Sequence, residues 1–131
     1  MTMSVQVTAI MLGVQDLGRA KKFYVDGLGS AVDKDYPGFV SLNLGAGSSS
    51  LALYEREAAA ADAGVHAEGS GFTGISFHHI VASRDEVDEV MNSAAAAGGA
   101  IVRPAATSQW AGYFGYFSDP DGYLWKIATS A

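Results

Sequence analysis

Few side chains in this chain can do acid, base or metal chemistry. Cysteine is absent, and of the three histidines, His78 and His79 are adjacent in an apolar segment while His66 lies in an Ala- and Gly-rich stretch. Without a thiol, disulfides, thiolate zinc sites and a cysteine nucleophile are excluded. No acid and base stand at the spacing of a hydrolase triad, and residues 48–50 (Ser-Ser-Ser) read as a polar turn. The glycine-rich segment 45–47 leads into no helix, so a phosphate-binding loop is not expected.

The most informative segment is residues 116–127, where one strand enters a tight turn and another leaves it. Asp119 can accept a hydrogen bond from the backbone two residues on, Pro120 fixes its own φ, and Gly122 tolerates a positive φ. The segment therefore predicts a hairpin with Lys126 in its second strand.

Aromatic residues gather in the same strands and the loops beside them. Rings at alternating strand positions usually belong to the core, but rings also line sites for flat or partly apolar ligands. Trp110 stands in a loop beside Ala111 and Gly112, and we expect it to act as a lid over a ligand. The full set is Tyr36, Phe39, Tyr54, Trp110, Tyr113, Phe114, Tyr116 and Phe117.

Composition limits the class of protein. The 131 residues suit one domain or two small halves, and with 49% hydrophobic and 17% charged residues a buried core is expected. The net charge of −6 and the pI near 4.8 argue against nucleic acid and acidic membranes as partners, because both need a basic face. The first residues show no signal peptide and no stretch is long enough to cross a membrane, so we expect a cytoplasmic protein.

The order of the predicted elements repeats after a spacing of roughly 55 residues. In the first half, Asp16 caps a helix that Gly27 and Gly29 stop; in the second, Ser83 or Asp85 caps a helix that ends at Gly98-Gly99. The strands are expected at residues 5–13, 31–36, 39–44, 50–55, 75–83, 100–103, 113–118 and 123–128. This gives one module at residues 5–57, a linker at 58–71 and a second module at 72–129. Within the linker, residues 58–63 can form a helical turn.

Three motifs, in this order and spacing, resemble the vicinal oxygen chelate superfamily, which holds glyoxalase I, extradiol dioxygenases and bleomycin-resistance proteins. They are Asp16-Leu17 with Phe23-Tyr24 and Gly27-Leu28-Gly29, then Val81-Ala82-Ser83 through Gly98-Gly99, then the hairpin 116–127. The resemblance covers nearly the whole chain. It implies an α+β fold of two βαβββ modules in tandem, forming a curled mixed sheet around a central cleft.

The resemblance also implies where a divalent metal would bind. The four ligand positions of metal-dependent members fall on Ala9, Ala52, His79 and Lys126, and the last is a glutamate in those members. Alanine offers no ligand atom, and a protonated lysine has no lone pair and repels a cation. We therefore expect no metal site and no other cofactor.

We interpret the chain as a glyoxalase/bleomycin-resistance-like protein that binds a small organic molecule in its cleft and sequesters it. Lys126 would place a positive charge where relatives hold the metal, attracting an anionic or enolate-like group. His79 would donate a hydrogen bond or accept a proton near neutral pH. The expected ligand-binding residues are Met11, Tyr54, His79, Trp110, Tyr113 and Lys126.

Two alternatives stay open at this point. The first is a lyase or isomerase of the glyoxalase type, either metal-free with His79 and Lys126 as catalytic residues or metal-bound through acids such as Glu55 or Glu57. The second is a protein-interaction module with a filled cleft, in which Lys126 pairs with an acid and His79 is a core residue. In each case we expect a homodimer, because the repeated sheets leave strand edges available for pairing.

Overall fold

The computed structural model describes residues 7–63, 66–69, 73, 75–108 and 112–131. It contains two four-stranded mixed sheets and three α-helices, in two βαβββ-like modules that follow one another along the chain. This confirms the predicted fold class. In the described part of the chain, no helix has the length and apolar character needed to cross a membrane.

The first sheet has the strand order β1-β4-β3-β2. Its strands are β1 (Ala9–Val14), β2 (Ala31–Tyr36), β3 (Phe39–Asn43) and β4 (Ser50–Glu55). The pair β1 and β4 is parallel and the other pairs are antiparallel. One face carries the buried apolar core of this sheet, formed by Leu12, Val14, Val40, Leu42, Leu51 and Leu53.

The second sheet repeats this order as β5-β8-β7-β6. Its strands are β5 (Ser76–Ile80), β6 (Ala100–Thr107), β7 (Tyr113–Ser118) and β8 (Leu124–Thr129). Again the first and last strands pair in parallel and the others antiparallel. Helix α3 (Arg84–Ala96) covers one face and buries Val87, Met91 and Ala94.

Helix α3 begins and ends as the sequence predicts. The Ser83 hydroxyl accepts a hydrogen bond from the Glu86 N–H, and the Glu86 carboxylate accepts one from the N–H of Ala82, the residue before the cap, in an arrangement that resembles a capping box. Of the two caps considered, Ser83 is therefore the one used. At the other end Gly98 has φ +102°, a conformation that terminates the helix at little cost only for glycine.

The first predicted helix differs from the expectation. Helix α1 (Leu17–Lys22) is followed directly by one π-helical turn, Phe23–Gly27. The chain divides into two compact units, and the segment 22–29 belongs to the second with residues 68–131, while residues 1–21 and 30–67 form the first. The reason lies in the side chains of Phe23 and Tyr24, which pack against Phe117 and Trp125 of the second sheet.

Two further boundaries differ from the expectation. Helix α2 (Arg56–Ala63) contains the helical turn expected at 58–63 but begins two residues earlier, inside the predicted first module. Strand β6 runs through Pro104 to Thr107, four residues beyond its predicted end at Arg103. Proline is tolerated there because β6 is an edge strand and the register shifts between Arg103 and Ala106.

Candidate functional site

The two faces of the second sheet are chemically different. Side chains that pair across strands share a face, and alternate residues along a strand lie on opposite faces. Gly115, Phe117 and Ile127 lie on the face covered by α3, where a Cβ on Gly115 would come within 2.7 Å of the Met91 methyl carbon. Lys126 lies on the opposite face, which we call the Lys126 face.

A row of four residues crosses the Lys126 face, one from each strand. The register pairs His78 of β5 with Lys126 of β8, Lys126 with Tyr116 of β7, and Tyr116 with Arg103 of β6. We call His78, Lys126, Tyr116 and Arg103 the Lys126 row. Beside it, Ser76 and His78 are hydrogen-bonded through Oγ and Nε2 at 3.2 Å.

Aromatic rings hold both cations of the row. Lys126 Nζ lies 4.6 Å from the ring centroid of Phe114 and 6.0 Å from that of Tyr116. Arg103 Cζ lies 4.8 Å from the same Phe114 centroid. The rings of Phe114 and Tyr116 pack edge to face, with centroids 6.2 Å apart. Contacts of this kind attract a cation by about 0.5–2 kcal/mol but leave its charge unneutralised.

Acidic residues are absent from the strands of this sheet. The described sequences of β5 to β8 contain one lysine, one arginine and two histidines, but no aspartate or glutamate. Among the described residues, neither Lys126 nor Arg103 has a carboxylate within ion-pair distance; the recorded pair joins Lys21 to Asp35 in the first unit. The Lys126 face is thus locally positive on a chain with net charge −6.

The turn that leads into β8 is fixed by a buried carboxylate. Asp119 is 3% exposed, and its Oδ1 accepts the backbone N–H groups of Asp121 and Tyr123, each at 2.9 Å. Its Oδ2 accepts the Tyr24 hydroxyl at 2.7 Å, and Trp125 Nε1 donates to that hydroxyl oxygen at 3.2 Å. These bonds hold the start of β8, and with it Lys126, in place. Gly122 has the positive φ (+93°) that this turn was predicted to need.

Burial governs the titration of this cluster. Desolvation raises the pKa of Asp119, although the hydrogen bonds from Tyr24 and the backbone oppose the rise. Desolvation and the neighbouring Asp119 charge raise the pKa of Tyr24, so the phenol stays a hydrogen-bond donor. All the groups in this cluster have hydrogen-bond partners on the helix-covered side, so their role is to position the turn.

The structure does not bring His79 to Lys126. His79 pairs with Ile127, on the helix-covered face, and it is His78 that shares a face with Lys126. The expectation that His79 and Lys126 point together into one site is therefore not met. A shift of one residue in strand register exchanges the two faces, and two adjacent histidines give the sequence no means to choose between them.

Tyr113 also lies on the helix-covered face, in register with Thr129. Its hydroxyl donates to Asp88 of α3 at 2.6 Å, which raises the pKa of Tyr113, and Arg84 lies over its ring at 5.2 Å. Phe114, the next residue, takes the position beside Lys126. Whether Tyr113 contacts a ligand remains a prediction, but it does not lie on the face of Lys126.

In the first sheet, the register pairs Met11 with Ala52 and Ala52 with Ser41, and Ser41 with Lys34 of β2. We call these four residues the Met11 row. Met11 is 47% exposed, whereas Ala52 and Ser41 are buried at 4% and 8%.

Tyr54 lies next to this row and packs edge to face against Phe39, with ring centroids 5.9 Å apart. Met11 and Tyr54 therefore share one face of the first sheet, as their expected common role requires. Trp110 lies outside the described residues.

The residues that the resemblance assigns to the metal positions do not suit a divalent ion. Ala9 and Ala52 have no donor atom, Lys126 is cationic, and His78 or His79 supplies one imidazole. Within the described ranges, no three histidine, aspartate or glutamate side chains are grouped closely enough to hold a metal. A stable site of this kind needs three or four such donors.

Arg103 and His78 were not among the expected site residues. The sequence did contain an indication, because both are basic side chains in strands that contain no aspartate or glutamate. It became readable only with the strand register, since the bulge in β6 decides which way Arg103 faces.

Comparison with known proteins gives the family. The model of the Glyoxalase/Bleomycin resistance protein/Dioxygenase superfamily matches residues 6–127. The chain belongs to this superfamily. A glyoxalase-related enzyme from Fulvimarina pelagi is 33% identical, with a TM-score of 0.85 over 95% of this chain and 87% of that one. Among curated proteins none matches.

More distant structures of the superfamily share its fold. A glyoxalase/bleomycin resistance protein/dioxygenase family enzyme from Burkholderia phytofirmans has a TM-score of 0.83 at 17% identity, covering 97% of this chain and 100% of its own. Lactoylglutathione lyase from Agrobacterium tumefaciens has a TM-score of 0.68 at 19% identity, covering 96% and 94%. These two similarities show the shared fold and leave the activity of this chain open.

Proposed function

We propose that the protein binds a small organic molecule on the Lys126 face without the divalent metal of its metal-dependent relatives, and that its role is to sequester this molecule. The observation that supports this most is Lys126 itself. It stands where the resemblance to metal-dependent members implies a glutamate, shares its face with the rings of Phe114 and Tyr116, and has no carboxylate partner among the described residues.

The surface around Lys126 suits a small ligand. Phe114, Tyr116 and Lys126 are all partly exposed, so their rings and ammonium group are accessible on this face. Rings give apolar contact area with few rotatable bonds, and one or two charged groups then fix the orientation of what binds. Sequestration needs only this combination and no reacting group.

Two measurements on the full chain test the proposal. The metal content of protein purified without chelators is expected to be far below one ion per chain by inductively coupled plasma mass spectrometry. A panel of small aromatic compounds, neutral, anionic and cationic, is expected to contain members that raise the melting temperature of the wild type but not of Phe114→Ala. One tightly held metal per chain, or a panel in which no compound binds, would overturn it.

A metal-free lyase or isomerase is the second candidate, and the neighbouring positions of His78 and Lys126 in the register favour it. His78 rather than His79 would then act as the base, and Lys126 would stabilise a developing oxyanion. Incubation with lactoylglutathione in D₂O, followed by NMR at the proton next to the thioester carbonyl, is a direct assay of the base. An enzyme is expected to exchange this proton and to lose the exchange in His78→Ala with little change in affinity, whereas a binder leaves the proton in place.

A further inference from the structure

We infer that the ligand of the Lys126 face is an organic oxyanion, a carboxylate on an aromatic or apolar body, held jointly by Lys126 and Arg103. This names the chemical class of ligand and rests on the proposed function. Three features carry it: two cations on one ring, the absence of acids from the sheet, and the geometry of the donors.

The two cations lie close together. Both are within 4.8 Å of the Phe114 centroid, so the ammonium and the guanidinium are within about 10 Å of each other. That is about one Debye length at physiological salt, and charges on a partly buried face are screened less than charges in water. Their repulsion is not relieved by any carboxylate of the described residues. An anion bound between them would relieve it.

The surrounding charges favour an anion over other ligands. The acids of helix α3, such as Asp88, lie on the other side of the sheet, and Asp119 is buried there with Tyr24 and backbone partners. His78, the fourth member of the row, brings no negative charge to this face. A cationic ligand would meet two like charges on this face.

The donors suit a carboxylate in particular. The guanidinium offers paired N–H groups that match two carboxylate oxygens, and the ammonium offers a third donor from the neighbouring part of the row. Phe114 and Tyr116, packed edge to face, provide the apolar surface that the body of the ligand covers. A free inorganic anion would use the donors but leave the rings uncovered, so we expect it to bind more weakly.

Three probes of similar shape and different charge test the inference by isothermal titration calorimetry. They are 2-naphthoate, the neutral 2-naphthamide and the cationic 2-naphthylmethylammonium. We expect 2-naphthoate to bind at least about tenfold more tightly than the amide, as one charge-assisted hydrogen bond implies, and the cation to bind most weakly. Inorganic phosphate tests whether the site binds any anion or needs the apolar body as well. We expect phosphate to compete poorly with 2-naphthoate.

Substitutions test whether the preference for 2-naphthoate depends on Lys126 and Arg103. Lys126→Met and Arg103→Met are each expected to weaken 2-naphthoate about tenfold while changing 2-naphthamide less than about twofold. Lys126→Arg, which keeps the charge, is expected to retain binding. The matched control is Lys34→Met, at the position of the first sheet that corresponds to Arg103, which removes the same charge and is expected to leave both affinities unchanged.

The outcomes separate this inference from the proposed function. Equal affinity for naphthoate and naphthamide, with both lost in Phe114→Ala, would overturn the inference and leave a neutral-ligand binder. Phosphate binding as tightly as naphthoate would also overturn it. If no organic probe of any charge binds in a way that depends on Phe114, the proposed function fails together with the inference.

Discussion

The central row of the first sheet consists of Met11, Ala52, Ser41 and Lys34, and that of the second consists of His78, Lys126, Tyr116 and Arg103. The sheets have the same strand order, the same parallel pair, and a register shift at the same place in β2 and β6. The two sheets therefore repeat one backbone arrangement, but the side chains of their central rows differ in charge and polarity.

The difference extends to the acids. Strands of the first sheet carry Asp33, Asp35 and Glu55 with one lysine, and the hydroxyl of Ser41 lies 3.5 Å from the carboxylate of Asp33. In β6 the residue at the same point of the register shift is Val102, beside Arg103. Lys34, the cation of the Met11 row, thus has an acidic neighbour in the chain, Asp33. Arg103, the corresponding cation of the Lys126 row, has Val102 there instead. The two sheets therefore share a fold, but among the described residues the Lys126 row carries positive charge that no carboxylate pairs with.

The turns before the last strand of each module differ most, and we expect the largest effect there. Asp119 is buried and accepts two backbone N–H groups and the Tyr24 hydroxyl, whereas Asn43 is exposed and, within the described part of the chain, accepts only the Gly45 N–H. Asp119→Ala is expected to lower the free energy of unfolding by about 3 kcal/mol, because several buried donors lose their acceptor.

Asn43→Ala serves as the matched control for this change. Water can replace the lost acceptor there, so the cost is expected to stay below about 1 kcal/mol. Urea unfolding followed by circular dichroism measures both variants. Equal losses in the two variants would show that burial does not distinguish the two turns.

Sequence patterns predicted most of what positions the site. The strand alternation, the Ser83 cap, the Gly98 stop and the Asp119 turn are local signals, and the structure confirms them. The π-helical turn at Phe23 was not predictable, since it depends on packing against Phe117 and Trp125, remote in sequence.

The site itself was less predictable than the fold. The choice of His78 over His79 depends on the register between β5 and β8, strands that are not consecutive and have no turn to fix their alignment. Arg103 depends in the same way on the register shift in β6. Side-chain direction at such positions is a property of the assembled sheet.

The same acid placed at matched row positions is expected to have unequal effects. Ala52→Glu puts a carboxylate where the native side chain is 4% exposed, and is expected to cost about 3 kcal/mol. Lys126→Glu changes a partly exposed position beside Arg103 and His78, and is expected to cost less than about 1 kcal/mol. Urea titration of both variants measures the difference; a reversed order would mean that the Lys126 face is the more deeply buried of the two.

The smallest effect is the contact between Lys126 and the Phe114 ring. A double-mutant cycle with Lys126→Met and Phe114→Leu is expected to give a coupling of about 0.5–1 kcal/mol in the free energy of unfolding. Phe77→Leu is the control, because Phe77 pairs with Trp125 on the opposite face, and its coupling to Lys126→Met is expected near zero. Equal couplings in the two cycles would argue that the cation–π contact makes no specific contribution.

The central claim is that a cationic row on the second sheet binds an organic anion at the position where the resemblance implies a metal ligand. A crystal structure grown with both 2-naphthoate and Zn²⁺ tests it directly. The account predicts the carboxylate within hydrogen-bond distance of Lys126 Nζ and the Arg103 guanidinium, with the naphthyl ring against Phe114 or Tyr116. A zinc ion held at this row by several protein atoms, or naphthoate bound away from Lys126 and Arg103, would contradict it.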